Sequence, residues 1–184
     1  MARTYVLQSP EIAVAAARMK ADANYIGAAD CATVKWMRDN HVFIRDTWEG
    51  ELTDRRLQQL YHRLFPGDDL FIDGRLSGKQ QLKAVAYAKE KGARITLCVQ
   101  EGHVVERDVY MAVDWIVSCG AQVNGGTDKV LLLRSDQYVY AAAGALALCL
   151  MHGLDASAAA GFYLKAADCK ELPWYDEIAY SRRQ

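Results

Sequence analysis

Long apolar runs, paired cysteines, basic excess and spacer segments are all scarce in this sequence of 184 residues, and each absence removes a class of protein. No apolar stretch reaches the ~18–20 residues of a membrane span. The longest, Ala141 to Met151, is interrupted by Gly144 and suits a buried helix. The first residues pass from Arg3 straight into a strand pattern, without the apolar segment and cleavage site of a secretory leader, so a cytoplasmic protein is expected. The cysteines (Cys31, Cys98, Cys119, Cys149 and Cys169) are odd in number and scattered. No Cys-x-x-Cys occurs, and no closed ligand set can be assembled from the cysteines with His41, His62, His103 and His152, so neither a zinc site nor any other cofactor is expected. A net charge of −1 argues against a dedicated nucleic-acid surface. With only three prolines and no linker or repeat, residues 1–184 read as one continuous domain.

What is present is alternation. Tyr5 to Leu7 makes a first strand, and Ser9-Pro10-Glu11 reads as a helix start, with Ser9 as cap and Glu11 at the positive end of the dipole. Between Asn24 and Trp48, Thr33 to Met37 and His41 to Ile44 are short strand candidates. Leu57, Leu60, Tyr61 and Leu64 form a helical stripe that Pro66-Gly67 ends. Leu70 to Ile72 is a strand buried on both faces, Gly74 to Gly78 a loop, and Leu82 to Lys89 a helix stopped by Gly92. Arg94 to Val99 completes a βαβ crossover, which requires parallel pairing. Val109, Ala112, Val113 and Ile116 read as another helical stripe. Lys129 to Leu133 reads as a buried strand, followed by helices over 137–152 and 155–167. This pattern predicts a three-layer, Rossmann-like α/β sandwich on a mostly parallel sheet of about five strands.

In such sheets ligands bind beyond the carboxyl ends of the strands. Three segments lie there: Gln8-Ser9, Asp73 to Lys79, and Arg134 to Gln137. Gly74, Arg75, Ser77, Gly78 and Lys79 offer close backbone approach, a hydroxyl and two cations. Arg134, Ser135 and Asp136 offer a cation, a hydroxyl and a carboxylate. These groups suit phosphate, ribose or carboxylate ligands. Ser9, Asp73 and Asp136 are the candidates for nucleophile or acid–base work. Glycine and serine are also what any tight turn after a strand needs, and Arg75 and Lys79 suit a solvated surface equally well. Asp68-Asp69 reads as a solvated turn. No Gly-x-Ser-x-Gly elbow occurs, and the Arg134 loop lacks the cysteine of a phosphatase turn.

Two resemblances attach to these residues. Phe71 to Gly78, the helix with Ala84, Ala88 and Gly92, and Ile95-Thr96-Leu97 resemble the core of Rossmann-like nucleotide-binding domains. That superfamily includes DprA-like proteins, cytokinin-activating phosphoribohydrolases and nucleoside deoxyribosyltransferases. The deoxyribosyltransferase likeness implies a catalytic glutamate after the loop, where this chain has Lys79-Gln80-Gln81-Leu82. Separately, Tyr5 to Ser9 with Leu57 to Gly67 and Leu70 to Ser77 is similar to a degenerate serine-recombinase catalytic domain. That likeness implies Ser9 as nucleophile and Arg75 as a transition-state cation, with Leu7 where the family has an arginine. The resulting expectation is a binder of a nucleotide or related phosphorylated or ribosylated small molecule, with hydrolase or transferase activity open. The alternative is a non-enzymatic interaction protein with an eroded enzyme-like fold. Alanine-rich helices and Trp174-Tyr175 point to self-association in either case, with no membrane and no nucleic acid as partner.

Overall fold

Strand and helix alternate along the chain as β1 (Thr4–Leu7), α1 (Pro10–Arg18), β2 (Ala23–Ala28), α2 (Cys31–Asp39), β3 (Phe43–Trp48), α3 (Asp54–Arg63), β4 (Asp69–Asp73) and α4 (Gly78–Glu90). There follow β5 (Arg94–Val99), β6 (Val104–Val105), α5 (Arg107–Ala112), β7 (Trp115–Cys119), β8 (Gln122–Val123), β9 (Val130–Leu133) and α6 (Val139–Met151). This is a computed structural model, and it describes residues 2–133, 139–153, 174 and 175. The helix expected over 155–167 lies outside those residues.

Seven strands form one sheet in the order β3-β2-β1-β4-β5-β7-β9, with every pairing parallel. Strands β6 and β8 pair separately. The three-layer parallel sandwich is therefore present, with seven strands rather than about five. The two that the sequence hid have clear reasons. Strand β2 reads Ala-Asn-Tyr-Ile-Gly-Ala, poor in the β-branched residues that mark a strand. Strand β7 begins inside the apparent helical stripe, because the helix stops at Ala112 and Trp115 starts the strand.

Side chains alternate across the sheet with a period of two. Val6, Tyr25, Phe71, Cys98 and Val117 face α1 and α6, while Leu7, Ile26, Ile72, Leu97 and Ile116 face α3, α4 and α5. Each fully buried large aliphatic or aromatic side chain contributes about 1.5–3 kcal/mol. Small residues let α1 and α6 approach closely: a Cβ on Gly144 would lie 2.6 Å from the Ala15 carbonyl. The Thr33–Met37 strand candidate is corrected: these residues lie in α2, whose N-cap Asp30 accepts from the Thr33 N–H at 2.7 Å. The strand that follows runs over Phe43–Trp48 rather than His41 to Ile44.

Asp68 and Asp69 are also corrected. Both are buried at the amino edge of the sheet. Asp68 accepts from the backbone N–H groups of Arg3 (2.9 Å) and Phe65 (3.0 Å). Asp69 takes both arms of Arg94, at 2.7 and 2.9 Å, and Arg94 also donates to the Leu150 carbonyl at the end of α6. Trp174 packs within its own chain, its ring beneath Arg18 and edge-on to His41.

Candidate functional site

The sheet winds outward in both directions from β1 and β4, so the crevice beyond their carboxyl ends is the topological switch point where ligands bind in this architecture. Gln8, the residue after β1, holds a left-handed φ of 71°. It is fixed there by β2, donating its N–H to the Ile26 carbonyl at 3.0 Å and accepting from the Ala28 N–H at 3.2 Å. Such a conformation in a residue with a side chain persists only where its surroundings enforce it. Gly27 is part of that enforcement: a Cβ there would lie 2.4 Å from the Tyr25 hydroxyl and 3.0 Å from the Gln8 Cα. The Tyr25 hydroxyl in turn donates to the Ala28 carbonyl at 2.7 Å.

Ser9 caps α1. Its buried hydroxyl accepts from the Ile12 N–H at 3.4 Å and donates to Glu11 Oε2 at 3.1 Å. From β4, the buried Asp73 carboxylate accepts from the backbone N–H of Arg75 (2.9 Å), from its Nε (2.9 Å) and from its Nη2 (2.5 Å). The same Nη2 lies 3.8 Å from Glu11 Oε2, so the guanidinium bridges the two carboxylates. Behind it, Gly74 donates to the Cys98 carbonyl at 2.8 Å, and the buried Gln81 amide donates to the carbonyls of Gly74 (3.0 Å) and Leu76 (2.7 Å). Beyond β5, the Gln100 amide donates to the hydroxyl of Tyr140 on α6.

These groups share one electrostatic environment. Burial pushes the Tyr25 hydroxyl well up, helped by Glu11 and Asp73 and opposed by Arg75. Burial also raises Tyr140, whose closest charged influences are again Arg75, Glu11 and Asp73. The Cys98 thiol is held high by burial, with a smaller push from Asp73. Hydrogen bonding to Asp73 raises the guanidinium of Arg75, which stays charged throughout. Two carboxylates against one guanidinium leave this cluster with a formal charge of −1.

Of the residues singled out by the sequence, Ser9, Asp73, Gly74 and Arg75 come together here. Ser77, Gly78 and Lys79 lie further along, exposed, at the start of α4. Ser77 forms a reciprocal capping box with Gln80. A Cβ on Gly78 would touch nothing within 4 Å, and the charge of Lys79 acts on Asp54 of α3. Arg134, Ser135 and Asp136 lie outside the described residues. Glu11, Tyr25, Gln100 and Tyr140 join the cluster without having been singled out. Only Glu11 carried a signal, a carboxylate two residues after a capping serine at a strand end.

A groove of about 490 Å³ lies between α2 and β3, lined in part by Asp30, Val34, Lys35, Arg38, Trp48 and Glu49. A cavity of about 460 Å³ lies at the opposite, amino edge, where its carboxylate, Asp68, is already bonded. Among the described residues, no group of three His, Cys, Asp or Glu could hold a metal ion. Among them, too, no helix is long and apolar enough to cross a membrane.

No protein family and no curated protein matches this sequence. Solved structures match the fold. The tetrameric inhibited form of phosphofructokinase-2 from Escherichia coli superposes with a TM-score of 0.70 at 12% identity, covering 98% of each chain. Arabidopsis thaliana ribokinase, complexed with ribose and ATP, superposes with a TM-score of 0.68 at 10% identity, also over 98% of each chain. The architecture is thus that of ribokinase- and phosphofructokinase-type sugar kinases. This overturns the resemblances to DprA-like and deoxyribosyltransferase-like domains and to serine recombinases, which have different folds. The strand–loop–helix–strand segment behind those resemblances is common to many parallel α/β proteins and does not separate them.

Proposed function

We propose that the chain binds a small molecule carrying a ribosyl or similar polyol group, a nucleoside or nucleotide, at the crevice between the ends of β1 and β4. The observation that carries this reading is the convergence of Ser9, Glu11, Asp73 and Arg75 at the switch point. Carboxylates and a held guanidinium match sugar hydroxyls, and the ribokinase with the same fold was captured with ribose and ATP. Binding is better supported than turnover. The Ser9 hydroxyl is committed to the cap and to Glu11, and Asp73 to Arg75. Any hydrolase or transferase step would have to free one of them or use Asp136. The free thiols of Cys31, Cys98 and Cys149 support a reducing, cytoplasmic setting, and self-association remains part of the proposal.

A thermal-shift panel of ribose, ribonucleosides and their phosphates tests the reading. A ligand at one hundred times its dissociation constant adds about 2.7 kcal/mol, which raises the melting temperature visibly. A panel that leaves the midpoint unmoved supports the non-enzymatic interaction protein instead.

A further inference from the structure

We infer that the switch-point crevice selects an unphosphorylated hydroxyl-bearing group and rejects phosphate there, with the Glu11 carboxylate as the specificity-determining residue. This rests on the crevice being the ligand site. The start of α1 has the position of an anion cradle, because helix N-termini leave N–H groups open and carry a partial positive charge. Here two of those donors are missing. Pro10 has no N–H to give, and the N–H of Ile12 is taken by Ser9. The turn Gln8-Ser9-Pro10 contains no glycine, and its strained residue is tied to β2, so the backbone cannot fold around a phosphate.

Charge points the same way. The Glu11 carboxylate sits in the first turn of α1, and a full negative charge outweighs the roughly half charge of the helix end. Arg75 is the cation of this cluster among the described residues, and its Nε and Nη2 are both turned to Asp73. Among the described residues, an arriving phosphate would meet two carboxylates and a guanidinium already paired with one of them. A sugar hydroxyl would meet acceptors. Glu11 uses Oε2 for Ser9, and the geometry leaves its other oxygen to accept from a ligand hydroxyl. Tyr140 and Gln100 stand across the crevice as neutral polar groups.

Isothermal titration calorimetry of the full chain with matched pairs tests this: ribose and ribose 5-phosphate, adenosine and AMP, cytidine and CMP. The unphosphorylated member of a binding pair should bind at least about tenfold more tightly, the size of one hydrogen bond to a charged group. Glu11→Gln keeps the side-chain shape and the contact with Ser9. It should weaken the unphosphorylated ligand about tenfold and narrow the gap within the pair. Phosphorylated members binding as tightly as their partners would overturn the inference and leave the site reading intact. A preference that Glu11→Gln does not change would overturn the role of Glu11. If no pair binds, the site reading itself falls, and this inference with it.

Discussion

A methyl group added to Gly74 would lie 2.7 Å from the Cys98 carbonyl oxygen and 3.1 Å from the Val99 Cα, both backbone atoms of the neighbouring strand. The same group on Gly78 would meet nothing within 4 Å, at the first position of a helix. In the sequence both glycines look alike, two small residues in a loop after a strand. Only packing separates them. Gly74→Ala should therefore cost about 1–3 kcal/mol, as overpacking against backbone does. Gly78→Ala should be neutral or stabilise by up to about 1 kcal/mol, because alanine is the better helix former. Urea denaturation of both variants checks this, and equal losses would show that Gly78 has a constraint of its own. Glu11 is the matching lesson among charged residues. Its place near a helix start is also explained by the dipole, so the one signal it carried, a carboxylate two residues after a capping serine, did not separate a ligand contact from a helix start.

Helix α4 and the loop before it were legible, because Gly74 and Gly78 mark the loop and Gly92 the helix end by local rules. What fixes the loop was not legible. Gln81 looks like a surface glutamine, yet it is buried with its amide on two loop carbonyls. Gln81→Leu should fill the space but leave those carbonyls unpaired, at a cost of about 1–3 kcal/mol. Hydrogen exchange should show residues 73–77 opening more readily in the variant, and unchanged protection there would contradict the bracing role. Helix α2 failed for the opposite reason. Of its residues only Met37 is buried, so no apolar stripe announced a helix, and Thr33-Val34 spoke for a strand. At α5 the apolar spacing ran on past the true end. Asp114, which accepts from the Ile95 N–H at 2.7 Å, ties the chain to β5 where the helical stripe seemed to continue.

Across the molecule, fold class was legible from the alternation of strands and helices, whereas the candidate site was legible only in the loops that follow β1 and β4. Tyr25, Gln100 and Tyr140 reach it from three other elements, and only the strand order brings them to one place. The amino edge of the sheet makes its own contribution to stability. Burial lifts Asp69 to about 6, against the hydrogen bonds from Arg94 that hold it down. Its folded value lies above the unfolded one, so its contribution is fully present below about pH 4 and is lost as pH rises through about 6. Asp69→Asn removes that dependence. Relative to wild type, the variant should gain about 1–3 kcal/mol between pH 4.5 and pH 7 in urea denaturation. A change of opposite sign would mean that pairing with Arg94 outweighs burial. The strand order has one more consequence, in the time domain. A sheet with only parallel pairs contains no hairpin, so every contact closes a long loop before it is repaid, which places folding in the slower part of the millisecond-to-second range. Strand β1 is made first, yet Thr4 to Leu7 find their second partner only at Asp69 to Ile72. At roughly 5–20 residues per second on the ribosome, Tyr5, Val6 and Leu7 wait several seconds with one edge open, the interval in which a nascent chain most needs a chaperone.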